Sequence, residues 1–219
     1  RLKSGEGSLP FNTESGSVKV RHASGKLQID LNGDGLLDPQ DGPAVGKDET
    51  FTLPIACGGK TIDVQLSVVL CRKNVVGLSS KTVLEGKVDH KVYRLVDQYV
   101  NGEYGERKLD SLLVDGGPPQ LVTGVMDLSD GLAHVRFTKN GGVMAIEPYA
   151  GPTASMLLTT SGESWHGALT LEHVDGDYIC QAETGQRKSL LPGAYRVARS
   201  VLSKRASDAD EATRPQTFL

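Results

Sequence analysis

The chain has 219 residues and a formal net charge of −3, with 24 basic and 27 acidic side chains. A length of this order fits one large domain or two small ones. The near balance of charge, without a concentrated basic stripe, excludes nucleic acid as an expected partner. No apolar run reaches the roughly 18 residues of a membrane span, so no membrane-spanning segment is expected. The sequence begins with Arg1, so we expect the chain to be a processed protein or a fragment.

Short β-type runs separated by glycine turns dominate the first half. Residues 17–23 (SVKVRHA) alternate apolar and polar positions, and residues 25–31 (GKLQIDL) continue the alternation with Leu27, Ile29 and Leu31 on one face. Residues 49–70 predict a hairpin that turns at Gly58-Gly59, because paired glycines tolerate the positive φ of a tight turn. Residues 91–102 fit either a strand or a helix face, and their β-branched content favours a strand.

The second half predicts two further hairpins and a last strand. The first hairpin, residues 134–146, turns at Asn140-Gly141, and the second, residues 166–183, turns near Asp175-Gly176. Residues 192–202 are interpreted as the final strand. Strands at regular spacing without βαβ alternation predict an all-β fold built of β-sandwich units, Ig-like or jelly-roll-like.

The stretch DGGPPQ, at residues 115–120, marks a predicted domain boundary, because its glycines and prolines disfavour regular structure. We therefore predict an N-terminal β unit over residues 1–117, a C-terminal β-sandwich-like unit over 118–203 and a polar tail over 204–219. The tail has few apolar residues, so it is expected to be disordered unless a surface holds it. Phe218 and Leu219 are its candidate anchors.

The three cysteines, Cys57, Cys71 and Cys180, leave at least one thiol without a partner in the chain. Cys57 and Cys71 lie on neighbouring predicted strands, so a disulfide between them is one interpretation. Buried free thiols are the favoured one. The absence of any C-x-x-C spacing disfavours a zinc site or a redox pair.

Residues 30–41 read DLNGDGLLDPQD and carry most of the chemical information in the sequence. Calcium takes six to eight oxygen ligands, and a twelve-residue loop can supply them from positions 1, 3, 5, 7, 9 and 12 with glycine at position 6. Gly35 occupies position 6. The predicted metal ligands, in order, are Asp30, Asn32, Asp34, Leu36 through its backbone carbonyl, Asp38 and Asp41. The alternative is an acidic surface turn without metal, but four clustered carboxylates repel one another when no cation is present.

This loop resembles the EF-hand calcium loop and matches the dockerin-type pattern D-x-N-x-D-G-x-x-[ND]-x-x-D of bacterial extracellular proteins at every point. It departs from the EF-hand at Asp41, where that family has a bidentate glutamate. The resemblance covers these twelve residues only, and it implies Ca²⁺ as the cofactor. The flanks differ from both families, since a strand-like run precedes the loop and Gly42-Pro43 disfavour a prompt helix after it. A cohesin-binding role therefore does not follow.

A weaker echo of the pattern occurs at residues 97–108. Asp97, Asn101 and Gly102 occupy positions 1, 5 and 6 of the same frame. Positions 3, 9 and 12 carry no side-chain oxygen suited to calcium, being Tyr99, Gly105 and Lys108. We interpret the segment as a degenerate loop that keeps the turn without the metal. A β-type run follows each loop, which suggests a duplicated strand–loop–strand unit.

No catalytic motif is present; GESWHG at residues 162–167, for example, has His166 where the nucleophile elbow needs glycine. The leading hypothesis is a non-enzymatic, calcium-stabilised structural or interaction protein of assembly, adhesion or surface scaffolding, with a protein or a second copy as partner. Extracellular calcium is near millimolar and fills even weak sites, so a secreted or cell-envelope location is expected. The alternative is a carbohydrate-binding or accessory module of a secreted hydrolase. It predicts exposed rings at Trp165, Tyr93, Tyr99 or Tyr104.

Overall fold

The chain is an all-β protein, as the sequence predicts. The computed structural model describes residues 5–11, 13, 16–72, 75–128, 130–161, 165–204 and 216–218. Within these ranges it contains β-strands, two single-turn 3₁₀ segments and no α-helix. None of the described segments forms a helix that could span a membrane. The sandwich packing of the sheets stays a prediction.

The chain forms two compact units, and the first is not continuous in sequence. It contains residues 1–122 together with residues 136–144, and the second unit contains residues 123–135 and 145–219. The predicted boundary after residue 117 lies shortly before the first of these breaks. Nothing local in the sequence indicates that residues 136–144 belong to the first unit.

The first unit contains three antiparallel sheets, with strand orders β1-β2-β3, β4-β5-β6 and β10-β9-β8-β7. Their strands are β1 (Gly5–Pro10), β2 (Ser17–Ala23), β3 (Lys26–Ile29), β4 (Thr50–Cys57), β5 (Lys60–Arg72), β6 (Val75–Ser80), β7 (Leu84–Val88), β8 (Lys91–Val96), β9 (Ser111–Val114) and β10 (Gln120–Leu121). The ambiguous segment from residue 91 is thus a strand up to Val96 and a loop after it.

The predicted hairpin at residues 49–70 is confirmed as β4 and β5. Every second side chain of β4 is buried, from Phe51 to Cys57, because alternate residues of a strand point to opposite faces. The turn is made by Gly58 and Gly59, whose φ angles of 58° and 77° favour glycine over residues with a side chain.

The register of this hairpin separates the two nearest cysteines. Cys57 is opposite Lys60 beside the turn, whereas Cys71 is opposite Val76 near the far end of β5. At about 3.3 Å per residue, the positions lie roughly 36 Å apart along the strand. Disulfides need Cα atoms within about 7 Å, so no Cys57–Cys71 bridge can form. Cys57 and Cys180 are free, buried thiols, and the side chain of Cys71 lies outside the described part of the chain.

The remaining strands form three further sheets, with orders β11-β12-β13, β14-β17 and β16-β15-β18-β19. They are β11 (Val125–Leu128), β12 (Gly131–Phe137), β13 (Met144–Pro148), β14 (Ala154–Leu157), β15 (Trp165–His173), β16 (Ile179–Glu183), β17 (Arg187–Leu190), β18 (Tyr195–Lys204) and β19 (Gln216–Phe218). The core of the second unit is a cluster of buried residues: Val125, Leu171, Tyr178, Cys180 and Leu190.

Both predicted hairpins of the second half are present. A short 3₁₀ turn over residues 139–141 joins β12 to β13, and Asp175-Gly176 lie in the turn between β15 and β16. The strand predicted at residues 192–202 is also present as β18, but it is not the last, because β19 pairs with its Ser200–Leu202 segment. Of the predicted tail, only Lys204 and the backbone of residues 216–218 are described, so the proposed anchoring by Phe218 and Leu219 lies outside the described side chains.

Candidate metal centre

The Asp-rich loop connects β elements, as its flanks predict. It begins directly after β3 and ends in a single 3₁₀ turn over Pro39–Asp41. Beyond the loop the chain returns to the same strand, where Leu27 and Val45 form an antiparallel bridge with two backbone hydrogen bonds of 2.7 Å. Both ends of the loop are therefore held by one strand, which limits how far the loop can open.

The buried carboxylate of Asp30 holds the first half of the loop together through hydrogen bonds to the backbone. Its side chain is only 5% exposed, and its carboxylate accepts the backbone N–H groups of Gly33 (2.8 Å) and Gly35 (2.9 Å). Gly35 has a φ of 80°, which is why position 6 needs glycine. The chain is wrapped tightly around the position-1 carboxylate.

Asp41 closes the second half in the same manner. It is 4% exposed, and its two oxygens accept the N–H groups of Leu31 and Asp38, each at 3.0 Å. Asp38 in turn accepts the N–H of Gln40 at 2.7 Å, so Asp38 and Asp41 cap the 3₁₀ turn reciprocally. The aspartate at position 12 thus ties the end of the loop to its beginning.

The predicted metal ligands Asn32, Asp34 and Leu36, which lie between these two ends, are on the surface. Asn32 accepts the N–H of Asp34 at 2.9 Å, and Asp34 accepts the N–H of Leu36 at 2.8 Å. The Asn32 amide also donates to Asp34 Oδ2 at 3.2 Å. Leu36, whose carbonyl is the predicted ligand at position 7, has an exposed side chain.

The aspartates of the loop have no ionic partner among the described side chains. Within the described residues, none of its four aspartates forms an ion pair with a lysine, arginine or histidine. Lys19 is the basic side chain that touches the loop, and it donates to the carbonyl of Gly35 at 3.2 Å rather than to a carboxylate. Four carboxylates within one twelve-residue loop repel one another, and a bound cation would relieve that repulsion.

The donor set fits calcium in its chemistry. Each carboxylate offers about four lone pairs, and Asp30 and Asp41 each use two of them for backbone N–H groups, so acceptor capacity remains. The side chains are nevertheless not gathered around one point. Among the described residues, three or more histidine, cysteine or acidic side chains nowhere come together closely enough to hold a metal ion.

The second loop reproduces the hydrogen bonds of the first. Asp97 accepts the N–H groups of Val100 and Gly102, at the same offsets at which Asp30 accepts those of Gly33 and Gly35. Asn101, at position 5, accepts the N–H of Glu103 at 2.9 Å, as Asp34 does from Leu36. Val100 even adopts a φ of 58° where the first loop has Gly33, a conformation that disfavours β-branched residues.

The assignment of Lys108 to the closing position is wrong. Asp110 closes this loop, accepting the N–H groups of Gln98 (3.2 Å), Gly105 (2.8 Å) and Glu106 (3.0 Å). Gln98 and Gly105 are positions 2 and 9 of the frame, the positions whose N–H groups Asp41 accepts in the first loop. The second loop is therefore the same structure with two residues inserted before its closing aspartate, and it extends over residues 97–110.

The elements around the two loops correspond as well. A hairpin precedes each loop, β2–β3 in the first case and β7–β8 in the second. The chain after each loop pairs back, antiparallel, onto the second strand of that hairpin, through Val45 in the first case and β9 in the second. The suggested duplication is thus present as a hairpin–loop–strand unit.

The second loop is poorer in metal donors and more buried than the first. Tyr99 at position 3 is 63% exposed and offers no carboxylate or amide oxygen. Asp97 and Asp110 are buried, with 1% and 0% exposure, and burial raises the pKa of both carboxyl groups, that of Asp110 to about 6. Hydrogen bonds from backbone N–H groups oppose this rise in both residues. The charge of Glu106 adds to the rise in the pKa of Asp97, and the charge of Asp97 adds to the rise in the pKa of Asp110. The first loop is the stronger candidate for a metal.

The burial of Asp110 predicts a pH dependence of stability without calcium. Its pKa of about 6 in the folded chain exceeds the usual value of about 3.9 for an unfolded aspartate. The protonated group therefore favours folding, and this stabilisation is complete below about pH 4 and lost as the pH rises through about 6. We expect the contribution of Asp110 to the free energy of unfolding to fall over that range in urea titrations with EGTA. Asp110→Asn, which does not titrate, should flatten the decline, and an unchanged pH profile in this variant would contradict the assignment.

The aromatic platform expected for a carbohydrate-binding module is present only in part. Tyr93 and Tyr104 are buried. Trp165, at the start of β15, is 41% exposed, and Tyr99 is exposed on the second loop, but they belong to different units. The described ring contacts pair His134 with Tyr149 and group His173, Tyr178 and Tyr195, without either exposed ring.

No protein-family model matches the chain. No curated protein and no solved structure matches it either. The fold and the site therefore define the class of protein: an all-β protein with two similar loops, each closed by hydrogen bonds to a buried aspartate.

Proposed function

We propose that residues 30–41 bind one calcium ion and that the protein is a calcium-stabilised structural or interaction protein outside the cell. The observation that carries the proposal is a loop of four aspartates without an ionic partner among the described residues. Its two end carboxylates are buried and fixed by backbone N–H groups. A divalent cation would be held by Asp30, Asn32, Asp34, the carbonyl of Leu36, Asp38 and Asp41, and it would supply the missing positive charge.

The position of the loop gives the ion a structural role. The chain enters the loop from β3 and returns to β3 through the Leu27–Val45 bridge, so a bound ion would stiffen the first sheet. The resemblance to extracellular calcium loops, and the near-millimolar calcium outside cells, support a secreted or cell-envelope location. Assembly, adhesion or surface scaffolding, with another protein or a second copy as partner, is the role that a calcium-stiffened β-protein serves. The carbohydrate-binding alternative depends on the exposed ring of Trp165 in the second unit.

Asp34→Ala separates metal binding from folding. Asp34 is on the surface, and among the described groups it accepts the N–H of Leu36 and the amide of Asn32. Its removal should therefore change the calcium-free stability by less than about 1 kcal/mol. One of the four carboxylate ligands is lost, so calcium affinity should fall at least about tenfold. Isothermal titration with CaCl₂ measures the affinity, and urea unfolding in EGTA measures the stability. Equal calcium affinity in Asp34→Ala and the wild type would count against the site.

A further inference from the structure

Lys19 places a positive charge beside the loop of residues 30–41. The residue belongs to β2, and its ammonium donates to the carbonyl of Gly35 at 3.2 Å. Its own backbone carbonyl accepts the N–H of Asp30 at 2.9 Å, so main chain and side chain of one residue contact two loop positions. Lys19 and Asp30 also line the same shallow groove, of about 420 Å³.

The ammonium is close enough to the loop carboxylates to act on a cation there. Lys19 Nζ contacts the carbonyl of Gly35, and the N–H of Gly35 lies 2.9 Å from Asp30 Oδ2. Backbone bond lengths then place Nζ within about 10 Å of that oxygen, which is about one Debye length at 0.1 M salt. At this range a positive charge opposes the entry of a divalent cation.

Glu6 partly neutralises this charge. Its carboxylate lies 3.6 Å from Lys19 Nζ and accepts a hydrogen bond from Arg21 Nε at 3.0 Å. The hydrogen bond and charge of Arg21, followed by the charge of Lys19, lower the pKa of Glu6, which is therefore ionised at neutral pH. Lys19, Arg21 and Glu6 together carry a net positive charge, and Lys19 and Glu6 line the groove that also borders Asp30.

We propose that Lys19 sets the calcium affinity of the loop, holding it low so that the loop loads only where calcium is near millimolar. This inference rests on the proposed calcium site. Lys19 is not a ligand; it acts through the electrostatic potential at the loop. The consequence is a protein whose first sheet stiffens on reaching a calcium-rich medium and stays unloaded at the much lower calcium of a cell interior.

The test compares three variants by isothermal titration with CaCl₂ in about 10 mM and about 500 mM KCl, where the Debye length differs severalfold. Lys19→Met keeps the length of the side chain and removes the charge, so it should bind calcium about threefold to tenfold more tightly than the wild type at low salt. The gain should shrink at high salt. Lys19→Arg keeps the charge and should match the wild type. Glu6→Gln removes the neutralising carboxylate and should bind more weakly.

The outcomes separate this inference from the calcium site itself. If the wild type binds calcium and Lys19→Met binds equally well or more weakly, Lys19 does not lower the affinity and the inference is overturned. If neither the wild type nor Lys19→Met binds calcium, the calcium site fails. Urea unfolding in EGTA confirms that each variant is folded before titration.

Discussion

Gly105→Ala is expected to destabilise the first unit by about 2–5 kcal/mol. Gly105 has a φ of 90°, and a methyl group added there would lie 2.5 Å from Phe137 Cγ and 2.6 Å from Phe137 Cβ. These atoms are near the base of the Phe137 side chain, so rotation of the ring cannot clear them. The backbone penalty of about 1–2 kcal/mol and the overpacking cost of about 1–3 kcal/mol add to the expected value. The N–H of Gly105 also holds Asp110, so displacement of the backbone loosens the second loop.

Gly116→Ala is the matched control for this prediction. Gly116 has a similar positive φ of 74°, but a methyl group there would meet no atom within 4 Å. Only the backbone penalty of about 1–2 kcal/mol applies. Urea unfolding of both variants measures the difference, and equal losses would show that the contact with Phe137 does not constrain position 105.

Asp41→Ala should abolish calcium binding and also lower the calcium-free stability. Its carboxylate is buried and accepts the N–H groups of Leu31 and Asp38, which would lose their partner. A fully buried donor left without an acceptor costs about 1–3 kcal/mol. These two donors are half-buried, so we expect a combined loss of about 2–4 kcal/mol in EGTA. This distinguishes Asp41 from the surface residue Asp34, whose replacement should affect binding alone.

Asp41→Asn tests the same position without creating a cavity. The amide oxygen can still accept one of the two N–H groups, while the charge is removed. Its calcium-free stability should therefore lie between those of the wild type and Asp41→Ala, and its calcium affinity should fall as in Asp34→Ala. Full calcium affinity in Asp41→Asn, by isothermal titration, would remove position 12 from the ligand set.

Local sequence signals predicted the hairpins well. Gly58-Gly59 and Asp175-Gly176 mark turns between strands that are adjacent in the chain, so pairing there is decided within about 20 residues. The pairing of β15 with β18 and the place of residues 136–144 in the first unit were not predictable in this way. Both depend on contacts between distant segments, which no local pattern encodes.

The second loop shows why a fixed spacing misses residues. Asp110 lies two positions beyond the place where the twelve-residue frame expects its last ligand, so the frame selected Lys108 instead. The signal that identifies Asp110 is an aspartate immediately before a strand, since the apolar run SLLV of β9 begins at Ser111. A search that allowed the final spacing to vary would have found it. In the first loop, the sequence predicted Asp30 and Asp41 as metal ligands. It did not predict the hydrogen bonds that their carboxylates accept from backbone N–H groups.

We propose that calcium binds to the folded first unit through residues 30–41. A thermal melt of the wild-type chain in about 2 mM CaCl₂ and in EGTA tests this most directly, because a ligand that binds only the folded state raises the melting temperature. We expect calcium to raise it by several degrees, and magnesium at the same concentration to raise it less, since magnesium requires a tighter octahedral set of ligands. Identical melting temperatures in CaCl₂ and EGTA would contradict the claim and leave residues 30–41 as an acidic turn closed by its own backbone.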